Sequence, residues 1–165
     1  MQFNSIHFMI FFPVVLAVYF IVPKKLRYIW HLGASYYFYM SWNAEYAILI
    51  AFSTVATFLC GILIEQFRFN EGKKWKILSK ITLYGGIIIN LAILFLYKYS
   101  GFAIDNLNSV LSFFGAAPVG ENFSILLPVG ISFYTFQALG YVIDVYRGNI
   151  DAEYNLFRYA LFVSF

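Results

Sequence analysis

The sequence predicts an all-α fold: a polytopic bundle of about five transmembrane helices and the start of another, with an amphipathic helix lying at one interface. Three observations predict it. The chain is 62% apolar and 22% aromatic but only 12% charged, with a mean hydropathy of +0.74, the wrong mixture for a globule that faces water on every side. Its apolar residues stand in uncharged runs long enough to cross a bilayer. Its basic residues cluster between those runs and hardly ever inside them.

The runs cover residues 1–23, 28–44, 46–64, 81–97 and 122–143. A helix rises about 1.5 Å per residue and the hydrocarbon core is roughly 30 Å thick, so each can span, the shorter ones with help from interfacial ends. The first opens on MQFNSIHF, which has no Lys or Arg, and a positive cluster follows its apolar part, the reverse of a cleaved signal peptide. The second is close to the minimum length and rich in Tyr, Trp and Ser; it spans, tilts or re-enters. Between the fourth and fifth, Ile104, Leu107, Val110, Leu111 and Phe114 share an arc of about 120°, with Asp105, Asn108, Ser109 and Ser112 on another. This predicts a helix on the membrane surface, or one whose apolar arc packs on other helices, closed by Gly115 and Pro118. Residues 156–165 begin a further apolar stretch that needs more residues to be completed. The chain, 1–165, therefore reads as the N-terminal part of a single larger transmembrane domain.

The charges test this layout. Lys24, Lys25 and Arg27 follow the first run; Arg68, Lys73, Lys74, Lys76 and Lys80 follow the third; Arg147 and Arg158 follow the fifth; the opposite side holds only Lys98. Since Lys and Arg are retained on the cytoplasmic side, the expectation is a multi-pass protein of the cell (inner or plasma) membrane with an extracytoplasmic N-terminus. The same placement argues against nucleic acid as the partner of the net charge of +3, which would need a continuous basic surface. The single cysteine, Cys60, excludes an internal disulfide and a thiolate metal cluster. Asn122, Phe123 and Ser124 form a glycosylation sequon that touches the membrane and is too short a pattern to carry weight.

The fifth run carries the residues of greatest interest. On a helix projected from Gly130, Tyr134, Gln137, Tyr141 and Asp144 fall at about +40°, −20°, +20° and −40°, one narrow polar stripe. Lipid cannot satisfy a phenol or an amide, so this stripe faces other helices, water or a substrate path. Two readings stand: hydrogen bonding between helices, or the wall of a polar cavity. Pro128 and Gly130 mark a bent or tightly packed entry. Asp144 and Arg147 are spaced for an i,i+3 ion pair that anchors the far end, with Gly148 as the helix stop. His7 and His31 have no partner at metal-ligand spacing and suit the two interfaces; Lys98 snorkels; Gly85 and Gly86 let helices approach or bend. No metal site, phosphate loop or nucleophile elbow is present, Ser132 lying in Val-Gly-Ile-Ser-Phe. No complete catalytic set is found.

The wording of that run adds to its periodicity. ILLPVGISFYTFQALGYVIDVYRG, residues 125–148, closely resembles the characteristic segment of the membrane-bound O-acyltransferase family, in particular its bacterial alginate O-acetylation branch. FNSIHFMIFFPVVLAVYF (3–20), ASYYFYMSWN (34–43), LYKYSGFAIDNLNSVL (96–111) and NLFRYALFVSF (155–165) look like the same branch in the same order. The resemblance implies an enzyme that moves an acyl group, usually acetyl, from a cytoplasmic thioester such as acetyl-CoA through a helix-lined tunnel toward a hydroxyl of an extracytoplasmic polysaccharide or cell-surface polymer, together with an acetyl-transfer partner protein. No bound cofactor is implied. The family's catalytic histidine belongs to a later span, expected beyond Phe165, and neither His7 nor His31 takes its place, so this stretch alone is expected to be inactive. Tyr134, Gln137, Tyr141 and Asp144 lie in the matching segment and would line or support the tunnel. The competing readings are a transporter or channel-type membrane subunit, whose expected second copy of the Pro-Gly pattern is missing, and a non-catalytic assembly bundle.

Overall fold

The computed structural model describes residues 5–41, 44–70, 72–115 and 130–164. Those residues form six helices: α1 (Ile6–Ile21), α2 (Arg27–Met40), α3 (Ala44–Phe69), α4 (Lys73–Phe113), α5 (Ile131–Arg147) and α6 (Leu156–Ser164). The sequon at 122–124, Pro118 and Pro128 lie outside the described residues.

Each of the five uncharged runs contributes a helix, with boundaries that differ from expectation. Ser5 caps α1 by accepting the Phe8 N–H at 3.2 Å, and Val22 and Pro23 end it, because the residue before proline is pushed to extended backbone. α3 runs beyond residue 64 through Glu65 and Arg68. α4 begins among the lysines at Lys73 and continues without a break to Phe113. The surface helix expected at 104–114 is thus the last part of α4: no proline interrupts residues 98–113, and side chains such as Asn106 bond back to the preceding turn. Gly115 follows with φ +68°, as expected of its stop. By length and hydropathy α3 and α4 suffice to cross a membrane by themselves, whereas α1 is apolar but only 16 residues long.

The helices run alternately up and down. Trp30 Nε1 of α2 donates to the Val15 carbonyl of α1 at 3.1 Å and Phe38 meets Phe8, so these two are antiparallel. Ser53 of α3 bonds Asn90 of α4, while Phe67 lies against Trp75, again antiparallel. Gly61 meets Tyr141, and Arg68 reaches the Val145 carbonyl, which makes α5 parallel to α3. Gln137 pairs with Phe162 and Tyr141 with Tyr159, bringing α6 back against α5. All of the Lys and Arg residues except Lys98 consequently gather at one end, the basic end.

The core lies between α3, α4, α5 and α6, where Ile50, Ile64, Ala138, Val142, Val145 and Val163 are buried. Between lipid-immersed helices there is no hydrophobic drive, so close backbone approach and interhelical hydrogen bonds must hold them together. Small residues provide the approach. A Cβ on Gly86 would stand 3.1 Å from Cys60 Sγ, while one on Gly85 would meet nothing within 4 Å. Of that pair, Gly86 alone serves helix contact. The polar part is supplied by Asn90, which donates to the Gly86 carbonyl at 2.9 Å and accepts from Ser53, and by Tyr159, which donates to Thr57 Oγ1 at 2.8 Å.

Candidate functional site

The stripe on α5 is partly core and partly cavity wall. Tyr134 sits deepest, 2% exposed, and nothing among the described residues hydrogen-bonds its hydroxyl. Gln137 donates through Nε2 to the Phe162 carbonyl of α6 at 2.7 Å, leaving Oε1 buried without a donor. The Tyr141 hydroxyl accepts the Glu153 N–H at 3.0 Å. Asp144 accepts from Asn149 Nδ2 at 3.1 Å. The expected Asp144–Arg147 ion pair is not formed: the ion pairs among the described residues belong to Arg68, and the turn after Gly148 (φ +77°) brings Asn149 back to Asp144 first. Gly148 does stop the helix, and Gly130 opens it at φ +78°.

Gln137, Tyr141 and Asp144 come together on the wall of an open cleft of about 590 Å³ between α5, the 148–155 connection and α6, with Asp151, Glu153, Arg158, Tyr159 and Phe162 opposite. Tyr134 is a turn higher and outside it. A smaller cleft of about 330 Å³ shares Gln137, Arg158 and Phe162 and adds His31. His31 donates from Nδ1 to the Arg27 carbonyl at 3.1 Å and meets the Tyr19 ring edge-on. Lys98, at the other end, lies 3.4 Å from Ser132 Oγ and over the Tyr99 ring.

A second group escaped the sequence reading. Glu65 is 3% exposed near the end of α3, where an isolated carboxylate would be costly. Its Oε1 accepts the Ala152 N–H at 3.0 Å, its Oε2 accepts the Tyr154 hydroxyl, and Arg68 stands 3.9 Å away. Arg68 in turn reaches Asp151 at 3.1 Å and the Val145 carbonyl at 3.0 Å. Together they clamp the connection that forms the rim of the cleft. The legible signal was the Glu65/Arg68 spacing, i,i+3 at the end of an apolar run; the partners lie more than 70 positions away. Among the described residues no three His, Cys, Asp or Glu side chains converge as metal ligands do. The cleft offers hydrogen-bond donors and acceptors, carboxylates and one guanidinium along a wall that passes from the basic end into the bundle.

Comparison with known proteins decides the kinship. Over 163 residues, 98% of the chain, the sequence is 38% identical to the probable alginate O-acetylase AlgI of Pseudomonas aeruginosa and 36% identical to that of Azotobacter vinelandii. The chain is a homologue of the alginate O-acetylases. This is the branch of the membrane-bound O-acyltransferases that residues 125–148 resemble. The peptidoglycan O-acetyltransferase of Helicobacter pylori is 32% identical over 84% of the chain. The chain spans about 30% of the length of the alginate O-acetylases and 25% of the Helicobacter protein. No protein-family profile and no solved structure matches it.

Proposed function

We propose that this chain is the N-terminal part of a membrane-bound O-acyltransferase domain that moves an acyl group, acetyl by preference, from a cytoplasmic thioester such as acetyl-CoA toward a hydroxyl of an extracytoplasmic polysaccharide. The observation that carries this reading is the 38% identity with an alginate O-acetylase across 98% of the chain. Relatives named for alginate and for peptidoglycan both point to a polysaccharide acceptor. An acetyl-transfer partner protein and a cell-membrane location with the N-terminus outside belong to the same proposal. The gathering of basic residues at one end of an alternating bundle supports that orientation.

In the reaction the acceptor oxygen attacks the thioester carbonyl carbon, a C–O bond forms, the C–S bond breaks, and the acceptor's proton ends on the departing thiol. The general base would be a histidine outside these residues, imidazole being suited to proton transfer near neutral pH. No catalytic role falls to His7 or His31. Gln137, Tyr141 and Asp144 would line the acyl path, with Tyr134 supporting it from the core. The polar wall they share along the 590 Å³ cleft is compatible with that role. The test is full-length protein in proteoliposomes supplied with labelled acetyl-CoA on the basic-end side. Label is expected on the acceptor or partner, and the transfer is expected to disappear when the later-span histidine is replaced. Intact protein and partner that transfer nothing would favour the transporter reading.

A further inference from the structure

Three concavities adjoin one another on this chain, and we read them as one groove. The 590 Å³ and 330 Å³ clefts share Gln137, Arg158 and Phe162, and the 330 Å³ cleft shares His31 with a third concavity of about 460 Å³ between α1, α2 and the end of α6. Its chemistry differs between its two ends. At the basic end stand Arg158, Asp151 and Glu153; beyond His31 the walls are mostly apolar, with Phe8, Phe11, Phe12, Leu16 and Phe38, interrupted by Ser35, Tyr39 and Ser164 near the end of α6.

Its size matches one leaflet. Arg158 sits 5.9 Å from the ring centroid of Tyr28 on α2, and Phe38, at the other end of the groove, lies ten residues after Tyr28. On a helix that is about 15 Å, half of the roughly 30 Å hydrocarbon thickness. Charge selects the head group. Among the described residues Arg158 makes no ion pair, so its guanidinium is available to a phosphate. Of Asp151 and Glu153 in the same cleft, Asp151 is already held by Arg68 at 3.1 Å, so Glu153 is the one left to repel a purely anionic head group and attract an ammonium.

We propose that this groove binds a zwitterionic aminophospholipid, its phosphate on Arg158, its ammonium against Glu153 at the rim, and one acyl chain running past His31 between α1 and α2. The lipid shares the 590 Å³ cleft with the acyl path proposed above, and its retention is read without any acetyl transfer. The full-length protein, reconstituted in nanodiscs with equal phosphatidylethanolamine and phosphatidylglycerol and then extracted into mild detergent, is examined by native mass spectrometry. One phosphatidylethanolamine is expected to stay bound. Arg158→Gln should lower its retention roughly tenfold, the loss of one charge-assisted contact, while Arg158→Lys keeps most of it. Ala34→Leu, which fills the groove wall, should displace the chain, whereas Gly33→Ala, whose added methyl meets open space, should not. Equal retention of both lipids, or retention unchanged in both Arg158→Gln and Ala34→Leu, overturns the proposal. So does a cross-link from residue 34 to a protein segment instead of to lipid.

Discussion

The phenol of Tyr141 stands against the bare Cα of Gly61: a methyl built on that glycine would lie 2.7 Å from both the ring edge and the hydroxyl. The ring has little room to retreat, since Tyr159 packs 4.5 Å away and the hydroxyl holds the Glu153 N–H. Gly61→Ala is therefore expected to cost about 1–3 kcal/mol through overpacking, visible as a lower unfolding midpoint in detergent. Gly85→Ala is the contrast: with open space around it, the better helix propensity of alanine should leave stability unchanged or raise it by up to about 1 kcal/mol. Equal effects at the two positions would contradict this packing.

Glu65 should be the main fastener of the cleft rim. Removing it by Glu65→Ala leaves the buried Ala152 N–H without an acceptor and frees Tyr154, at an expected cost of about 1–3 kcal/mol. The loss should concentrate in the 148–155 connection, measured as faster proteolytic nicking there than at the α3–α4 turn. Glu65→Gln, which keeps one acceptor, should fall between the two. Nicking that is unchanged in Glu65→Ala would show that the rim is held by other contacts.

The same fastener has a pH dependence of predictable sign. The Glu65 carboxylate that accepts the Tyr154 hydroxyl raises the pKa of that phenol above its ordinary value of 10. A group whose folded pKa is raised contributes stability that is complete below the unfolded value and is lost as pH climbs through the folded one. Nicking of 148–155 should thus increase at alkaline pH, beginning above about pH 10. The step should be missing in Tyr154→Phe. A step that survives in that variant would have to come from another group.

Much of this was legible from chemistry alone, and the exceptions share a cause. Hydrocarbon excludes unpaired charge, so the uncharged runs locate α1 to α5. The 100° periodicity likewise puts Gln137, Tyr141 and Asp144 on the wall of one cleft. The boundaries failed where charge is tolerated: Glu65 and Arg68 satisfy each other and the 148–155 connection, so α3 continues through them, and the lysines of α4 favour helix while their heads reach water. Asp144 turned to Asn149 instead of Arg147 because a left-handed glycine folds the chain back at that point. The Glu65 clamp needed partners 87 and 89 positions away, which no local pattern announces.

Gln137 separates the two readings of the stripe. Its Nε2 is spent on the Phe162 carbonyl, a packing role, but its buried Oε1 is left over on the cleft wall. Gln137→Leu in the full-length protein keeps the bulk and removes both functions. Membrane insertion should be unaffected and stability should fall by only about 1 kcal/mol, while acetyl transfer should drop roughly tenfold if Oε1 orients the passing acyl donor. Unaltered turnover at equal expression would leave the residue a purely structural bond.

The last prediction concerns α4, whose 41 residues make a rod of about 60 Å, twice the hydrocarbon thickness. Residues 81–97 suffice to cross, so the helix must project beyond Lys98 or bend there. Leu107, Val110 and Phe113 on the projecting part are exposed, and a bend would let them rest on lipid. Against a bend stand the absence of proline and the side-chain bonds of Asn106, Ser109 and Ser112 to the preceding turn, which complete the helix locally. Spin labels at Lys76→Cys and Ser112→Cys, with Cys60 replaced by alanine, should report about 54 Å for the straight rod, against about 41 Å for a right-angle turn after Gly101. The longer distance would mean that the apolar stripe stands clear of the membrane surface and calls for a protein cover. The shorter one would restore the surface-lying helix that its periodicity predicts.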